Sequence, residues 1–184
     1  VVSALGSQSR GALVALATMA GLLWWKSRRK AMIGILILIA IPLIFIAMPE
    51  SWMARMSTIQ TYEQDASAMG RINAWWMAWN LAMARFPIGG GFAIYEPDLF
   101  FRFAPDPLDI HAAHSIYFQV LGEHGFFGLL LFITIFVQAW FCGGWVIRNT
   151  SSRADLLWAR DLAAMCQVSL VGYAVGGAFL SLSY

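Results

Sequence analysis

Charge is what this sequence lacks. Asp, Glu, Lys and Arg make up 12% of its 184 residues, about half the share of an ordinary soluble domain. With 60% hydrophobic residues, the chain reads as one whose solvent is lipid. Its net charge of +2 is too small for a nucleic-acid partner, which needs a dense basic surface. Cysteine is nearly absent as well. Cys142 and Cys166 sit in or beside apolar runs, with neither pairing nor metal-ligand spacing, so they read as packing residues and a disulfide scaffold is excluded. No signal peptide stands at the start, and the last residues, "GGAFLSLSY", stop inside an apolar segment; the sequence reads as an excerpt of a longer protein. Internal repeats and low-complexity tracts are missing.

What is present is four apolar runs. "GALVALATMAGLLWW" covers 11–25 and "AMIGILILIAIPLIFIAM" covers 31–48, with Pro42 an expected kink; the others lie at about 115–141 and 162–184. A span needs about 20 apolar residues, and each run meets that length with its flanks. The expected fold is therefore all-α, a polytopic membrane helix bundle. Basic loops stay cytoplasmic, and Lys26, Arg28, Arg29 and Lys30 lie between the first two runs, Arg148, Arg153 and Arg160 between the last two. Residues 49–114 then face outward, which in a bacterium is the periplasm. That loop carries seven acids (Glu50, Glu63, Asp65, Glu96, Asp98, Asp106, Asp109) against Arg55, Arg71, Arg85 and Arg102.

A loop of this length is functional more often than a mere connector. Within it, "SAMGRINAWWMAWNLAMARF" predicts a helix, with Asp65 or Ser67 as N-cap and Pro87 as stop. Trp75, Trp76 and Trp79 make one side aromatic, as in a helix lying on the membrane surface. "PIGGGF" predicts a flexible turn, and "YEPDLFFRFAPDPLDIHAAH" a Pro- and Asp-punctuated loop. In the third run, Gly143 and Gly144 are the expected end of the helix. Gly122, Gly125 and Gly128 recur every third residue, a smooth face for close packing.

Three polar side chains stand at the outer side. Arg10 lies 16 residues before Lys26, about 24 Å of helix, at or just below the outer surface. It is either an interfacial anchor that snorkels outward or a functional cation. Arg71 opens the loop helix, where a cation opposes the macrodipole and a bound anion would compensate; the alternative is a solvated charge or a headgroup contact. His114 begins the third run, either as a capping residue or as a base suited to taking a hydroxyl proton at neutral pH. His111, three residues earlier, would share a helical face with His114 and suggest a metal pair, but no third ligand follows at ordinary spacing. Glu123, the sole acid of that run, falls near its outer boundary. Two arginines suit a diphosphate, because arginine stays charged and binds oxygens in a bidentate fork. Such a site needs neither metal nor cofactor.

These segments carry a resemblance. "SQSRGAL" resembles the Ser-Arg-Gly segment of the O-antigen ligase and polymerase superfamily. "GRINAWWMAW" is similar to its Gly-Arg-x-x-x-Trp segment, and "HSIYFQVLGEHGFFGLLLF" to its His-Ser/Asn…Glu-x-Gly-x-x-Gly segment. The wording around "APDP…HAAHSIYFQVLGEHG" is most similar to O-glycosylation ligases that accompany exosortase systems. The resemblance spans the C-terminal half of the family fold. It implies a metal-independent, inverting glycosyltransferase of the bacterial inner membrane. The donor would be a glycan on undecaprenyl diphosphate, and the acceptor a hydroxyl of lipid, glycan or protein. Arg10 and Arg71 would grip the diphosphate, His114 would activate the acceptor, and Glu123 and Arg102 would contact substrate. Arg85 is a further phosphate contact on charge alone, and the Gly89–Gly91 turn a hinge. The polymerase reading shares the donor chemistry. A transporter or flippase subunit would place its polar groups at the midplane, where the first two runs have none; a scaffold for a secretion complex is the remaining alternative.

Overall fold

The computed structural model describes residues 10–27, 29–47 and 66–180, without the side chains of residues 10, 12, 13, 44, 45 and 47. Among the described residues every regular element is helical. In chain order these are α1 (Arg10–Lys26), α2 (Lys30–Ala47), α3 (Ala66–Ala84), α4 (Pro97–Phe103), α5 (Ile116–Thr150), a 3-10 turn (Ala154–Leu156) and α6 (Leu157–Gly177). The apolar runs expected at 11–25, 31–48, 115–141 and 162–184 fall on α1, α2, α5 and α6. Residue 48, the loop residues 49–65 (with Glu50, Arg55, Glu63 and the Asp65 cap), Arg28 and residues 181–184 lie outside the described residues. By length and composition, α5 is long and apolar enough to cross a membrane, while Val14–Lys26 and Lys30–Leu43 are shorter apolar helices.

The chain divides into two compact units: Val1–Ile59 with Gln138–Gly176, and Gln60–Val137 with Gly177–Tyr184. In the first, α1 and α2 pack together, and α2 continues through Pro42. Ser27 Oγ accepts the Arg29 amide (3.0 Å) and Trp24 Nε1 donates to the Lys30 carbonyl (3.0 Å), which shape the turn between them. Lys26 Nζ donates to Gln167 Oε1 and stands 5.1 Å from the Trp140 ring centroid, and Gln167 Nε2 donates to the Trp140 carbonyl at 2.8 Å. A Cβ on Gly143 would come within 3.0 Å of Gln167 Cγ. The glycine pair expected to end the helix therefore lets Gln167 approach instead, and α5 runs on to Thr150. Cys142 and Cys166 are free and exposed, not packed; their place on apolar helices does not bury them.

The second unit is organised on α3. Gly70, Asn73, Ala74, Met77, Ala78, Leu81 and Ala82 are buried, a stripe at helical spacing. Met77, Leu81, Ile94, Phe100 and Ala113 form its core, with Trp75, Tyr95 and Phe118 packed against it. The tryptophans expected on one side are divided. Trp75 turns inward to stack on Phe118 with centroids 5.0 Å apart, while Trp76 and Trp79 are exposed. The reason is the Ala/Met/Leu stripe, which gives α3 a packing face of its own. Ser67 lies inside the helix rather than capping it. Where only loop was expected, Pro97 at the first helical position starts α4, since its fixed φ suits that position.

Polar side chains of α3 tie down the segment that leads to α5. Asn73, 7% exposed, donates through Nδ2 to the Asp106 and Asp109 carbonyls (2.8 and 2.9 Å) and accepts the Asp106 amide at 2.9 Å. Trp75 Nε1 donates to the Ala113 carbonyl at 2.7 Å, and Asn80 Nδ2 to the Phe103 carbonyl at 2.8 Å.

A second tie comes from the glycine turn. α5 is interrupted at Gly125 (φ 66°, ψ −164°). The carbonyls of Gly122 and Glu123 instead accept the Gly90 and Gly91 amides, both at 2.7 Å, and the Phe127 amide donates to Pro87 at 3.2 Å. The turn expected to flex is thus hydrogen-bonded into a break in α5. A Cβ on Gly125 would stand 2.2 Å from the Pro87 oxygen.

Two predictions follow from these ties. Asn73→Ala removes three part-buried hydrogen bonds and is expected to cost about 3 kcal/mol, whereas Asn80→Ala, losing one exposed bond, costs about 1 kcal/mol or less; thermal melting in detergent separates them. Gly125→Ala meets both a backbone clash and a left-handed φ. Gly91→Ala (φ 80°) meets open space, so only the backbone penalty of about 1–2 kcal/mol applies. Gly125→Ala should therefore fail to accumulate in the membrane while Gly91→Ala does.

Candidate functional site

The start of α5 is built from both ties. Ser115 occupies the N-cap position, its carbonyl accepting the Gln119 amide at 2.9 Å. His114, just before it, has φ +45°, a left-handed backbone that a non-glycine residue holds only where its surroundings impose it. Ala93 (φ 62°), two residues before Tyr95, is the other such non-glycine residue described.

Arg71 lies on the second turn of α3, half-buried, and its Nε is buried without a hydrogen-bond partner. Gly70 beside it makes room for His111: a Cβ there would fall 2.6 Å from His111 Nδ1. His111 Nδ1 meets Asp109 Oδ1 at 2.6 Å, so the carboxylate orients the ring. Burial first, then the positive charge of Arg71 and the neighbouring His111, hold the His114 imidazole below its ordinary pKa of 6.5. His114 is thus neutral at pH 7, the form that can accept a proton. Arg71, His111 and His114 share one electrostatic environment.

Tyr95 lies next to the Ala113 backbone. Its hydroxyl is buried, near the Ala113 amide but without a partner at hydrogen-bond geometry. Burial, opposed by that amide and reinforced by the Glu123 charge, pushes the phenol above its ordinary value of 10, so it keeps its proton. Glu123 is 5% exposed. Its Oε1 accepts Gln119 Nε2 at 3.3 Å and its Oε2 lies 4.0 Å from His124 Nε2 without a hydrogen bond.

Of the residues singled out by sequence, the structure groups Arg71 with His114 and sets Glu123 further along α5, where its charge acts on Tyr95. Arg102 stands exposed on the last turn of α4, and Arg85 is exposed, its Nη1 donating to the Gly90 carbonyl at 3.2 Å. The Arg10 side chain lies outside the described residues, and its backbone belongs to the other unit. The helical face expected to pair His111 with His114 does not form, because residues 111–115 are not helical and His111 turns to Asp109. Among the described residues no three His, Cys, Asp or Glu side chains gather to hold a metal ion. Sequence reasoning missed the Asp109–His111 pair, although the two-residue spacing was visible, and it missed Tyr95 and Gln119, which no motif marks.

The O-Antigen ligase family matches residues 1–133 of the chain, about seven-tenths of its length and including Arg10, Arg71, His114 and Glu123. The chain belongs to the O-antigen ligase family. No curated protein and no solved structure matches it. Membership of the O-antigen ligase family makes this a membrane protein of glycosyltransferase type, from a group that acts on lipid-linked glycans and their acceptors.

The electrostatics of the group can be read directly. Arg71→Gln removes a cation that lowers the His114 pKa. The His114 resonance of isotope-labelled protein should then titrate at higher pH, toward 6.5, while the wild type titrates below it.

Proposed function

We propose that the protein transfers a glycan from an undecaprenyl-diphosphate carrier to an acceptor hydroxyl on the periplasmic face of the bacterial inner membrane, by an inverting reaction that needs no metal. The fold that goes with this is a polytopic bundle of one membrane domain over 1–184, with spans at about 11–25, 31–48, 115–141 and 162–184. Residues 49–114 form the periplasmic loop that carries the α3 helix. Basic residues at the ends of α1 and α5 support that orientation.

The single observation that carries the reading is a half-buried arginine with an unpaired Nε whose charge, after burial, helps hold the His114 pKa down. A diphosphate supplies the partner Arg71 lacks, and Arg10 is the second cation the motif order calls for. His114 takes the proton from the acceptor hydroxyl as its oxygen attacks the anomeric carbon. The bond from that carbon to the diphosphate oxygen breaks on the opposite face. The arginines stabilise the charge that grows on the departing diphosphate, fixed in place before the reaction. Glu123 and Arg102 contact the glycan and its carrier. Only the acceptor distinguishes a ligase from a polymerase here.

The test uses the full-length protein in liposomes with purified lipid-linked glycan and a panel of acceptors (lipid A core, protein, growing glycan). His114→Ala should lower the rate by about 10²–10⁴-fold and Arg71→Ala by at least about 10²-fold, with both variants still inserted in the membrane. Full activity of His114→Ala would remove the base, and strict dependence on a divalent cation would replace the arginine mechanism.

A further inference from the structure

Among the described residues, three of the four buried side-chain polar atoms that lack a hydrogen-bond partner, Tyr95 Oη, Gln119 Oε1 and Glu123 Oε2, belong to one neighbourhood. Gln119 and Glu123 lie one turn apart on α5 and touch through Nε2 and Oε1 at 3.3 Å. Tyr95, delivered by the strained Ala93, feels the Glu123 charge. Buried polar groups are almost always satisfied, and leaving one unmade costs more than the bond returns when made. Three together, beside a site already argued, need a common ligand.

The chemistry of the set says which. Two of the atoms are acceptors, and the third is a hydroxyl that can give or take a hydrogen bond. Phosphate oxygens have nothing to donate to Gln119 Oε1 or Glu123 Oε2. Sugar hydroxyls donate and accept in turn. The phosphate-complementary group, Arg71, stands on α3, where its charge is felt by His114, whereas Gln119 and Glu123 stand on α5. Charge recognition and hydroxyl recognition are therefore carried by different side chains on different elements.

We propose that Tyr95, Gln119 and Glu123 form a subsite for hydroxyl groups of a neutral sugar, distinct from the diphosphate contacts. The proposal rests on the glycan-transfer reading and adds the residues that would recognise the sugar itself. Tyr95 donates to a sugar oxygen, and Gln119 Oε1 and Glu123 Oε2 accept sugar hydroxyls. The subsite is selective for the glycan because lipid and diphosphate offer it no donors.

The experiment measures binding of two probes to the full-length protein in nanodiscs: undecaprenyl diphosphate carrying the glycan, and undecaprenyl diphosphate without sugar. Tyr95→Phe and Gln119→Leu should each weaken the sugar-bearing lipid by about 3- to 10-fold and leave the sugar-free lipid unchanged. Arg71→Gln should weaken both. Tyr95→Phe should also melt no lower than wild type, because it removes a hydroxyl that has no partner in the protein. A lower melting temperature for Tyr95→Phe, with equal affinity for the sugar-bearing lipid, would show an internal structural bond and overturn the subsite. Equal weakening of both probes would overturn it too. Wild type that binds neither probe would overturn the transfer reading, and the sugar assignment with it.

Discussion

Asn73 fastens the chain between α4 and α5 to the helix that carries Arg71. Its amide makes three bonds to Asp106 and Asp109, which uses its two donors and its oxygen. Trp75, two residues on, holds Ala113. Between these anchors Asp109, His111 and His114 have little freedom, and His114 is pushed into a left-handed backbone. The site is therefore a property of α3: the same helix presents the cation and fixes the loop that presents the imidazoles. That the two anchors are side chain to backbone bonds matters. They specify where the loop runs without requiring particular loop side chains, which remain available for chemistry.

Much of this was legible in the sequence. The four apolar runs emerge as helices because their hydropathy leaves few alternatives, and the α3 helix was bounded correctly by Pro87. Arg71 and His114 were singled out from their odd placement, a cation near a helix start and a histidine at the mouth of an apolar run, and the structure gives them a shared field. What the sequence hid depends on long-range contacts. Gly143 and Gly144 resemble a helix stop, but they make room for Gln167, 24 residues on. Gly125 looks like one step in a packing stripe, but it is a break whose freed carbonyls are taken by the Gly90 and Gly91 amides. Tyr95 and Gln119 carry no local signature, since their significance lies in a buried oxygen on each that finds no hydrogen-bond partner once folded.

The break in α5 also bears on function. A continuous helix would saturate the Gly122 and Glu123 carbonyls internally. Here the glycine turn does so instead, and the short segment from Ile116 to His124 is held at both ends, by the Asn73 and Trp75 anchors before it and by the turn after it. Glu123 and Gln119 therefore sit on a rigid platform, as a site that must hold a donor in line requires. Membership of the O-antigen ligase family supplies the class of reaction. The arrangement around His114 supplies the reason a cation and a neutral imidazole should occur side by side in an otherwise apolar chain.

The most direct measurement is an experimental structure of the full-length protein with a lipid-linked glycan bound. The account predicts the diphosphate at hydrogen-bond distance, about 3 Å, from the Arg71 guanidinium, with His114 facing the anomeric carbon from the opposite side. A diphosphate bound elsewhere, with Arg71 and His114 turned away from the lipid, would contradict it.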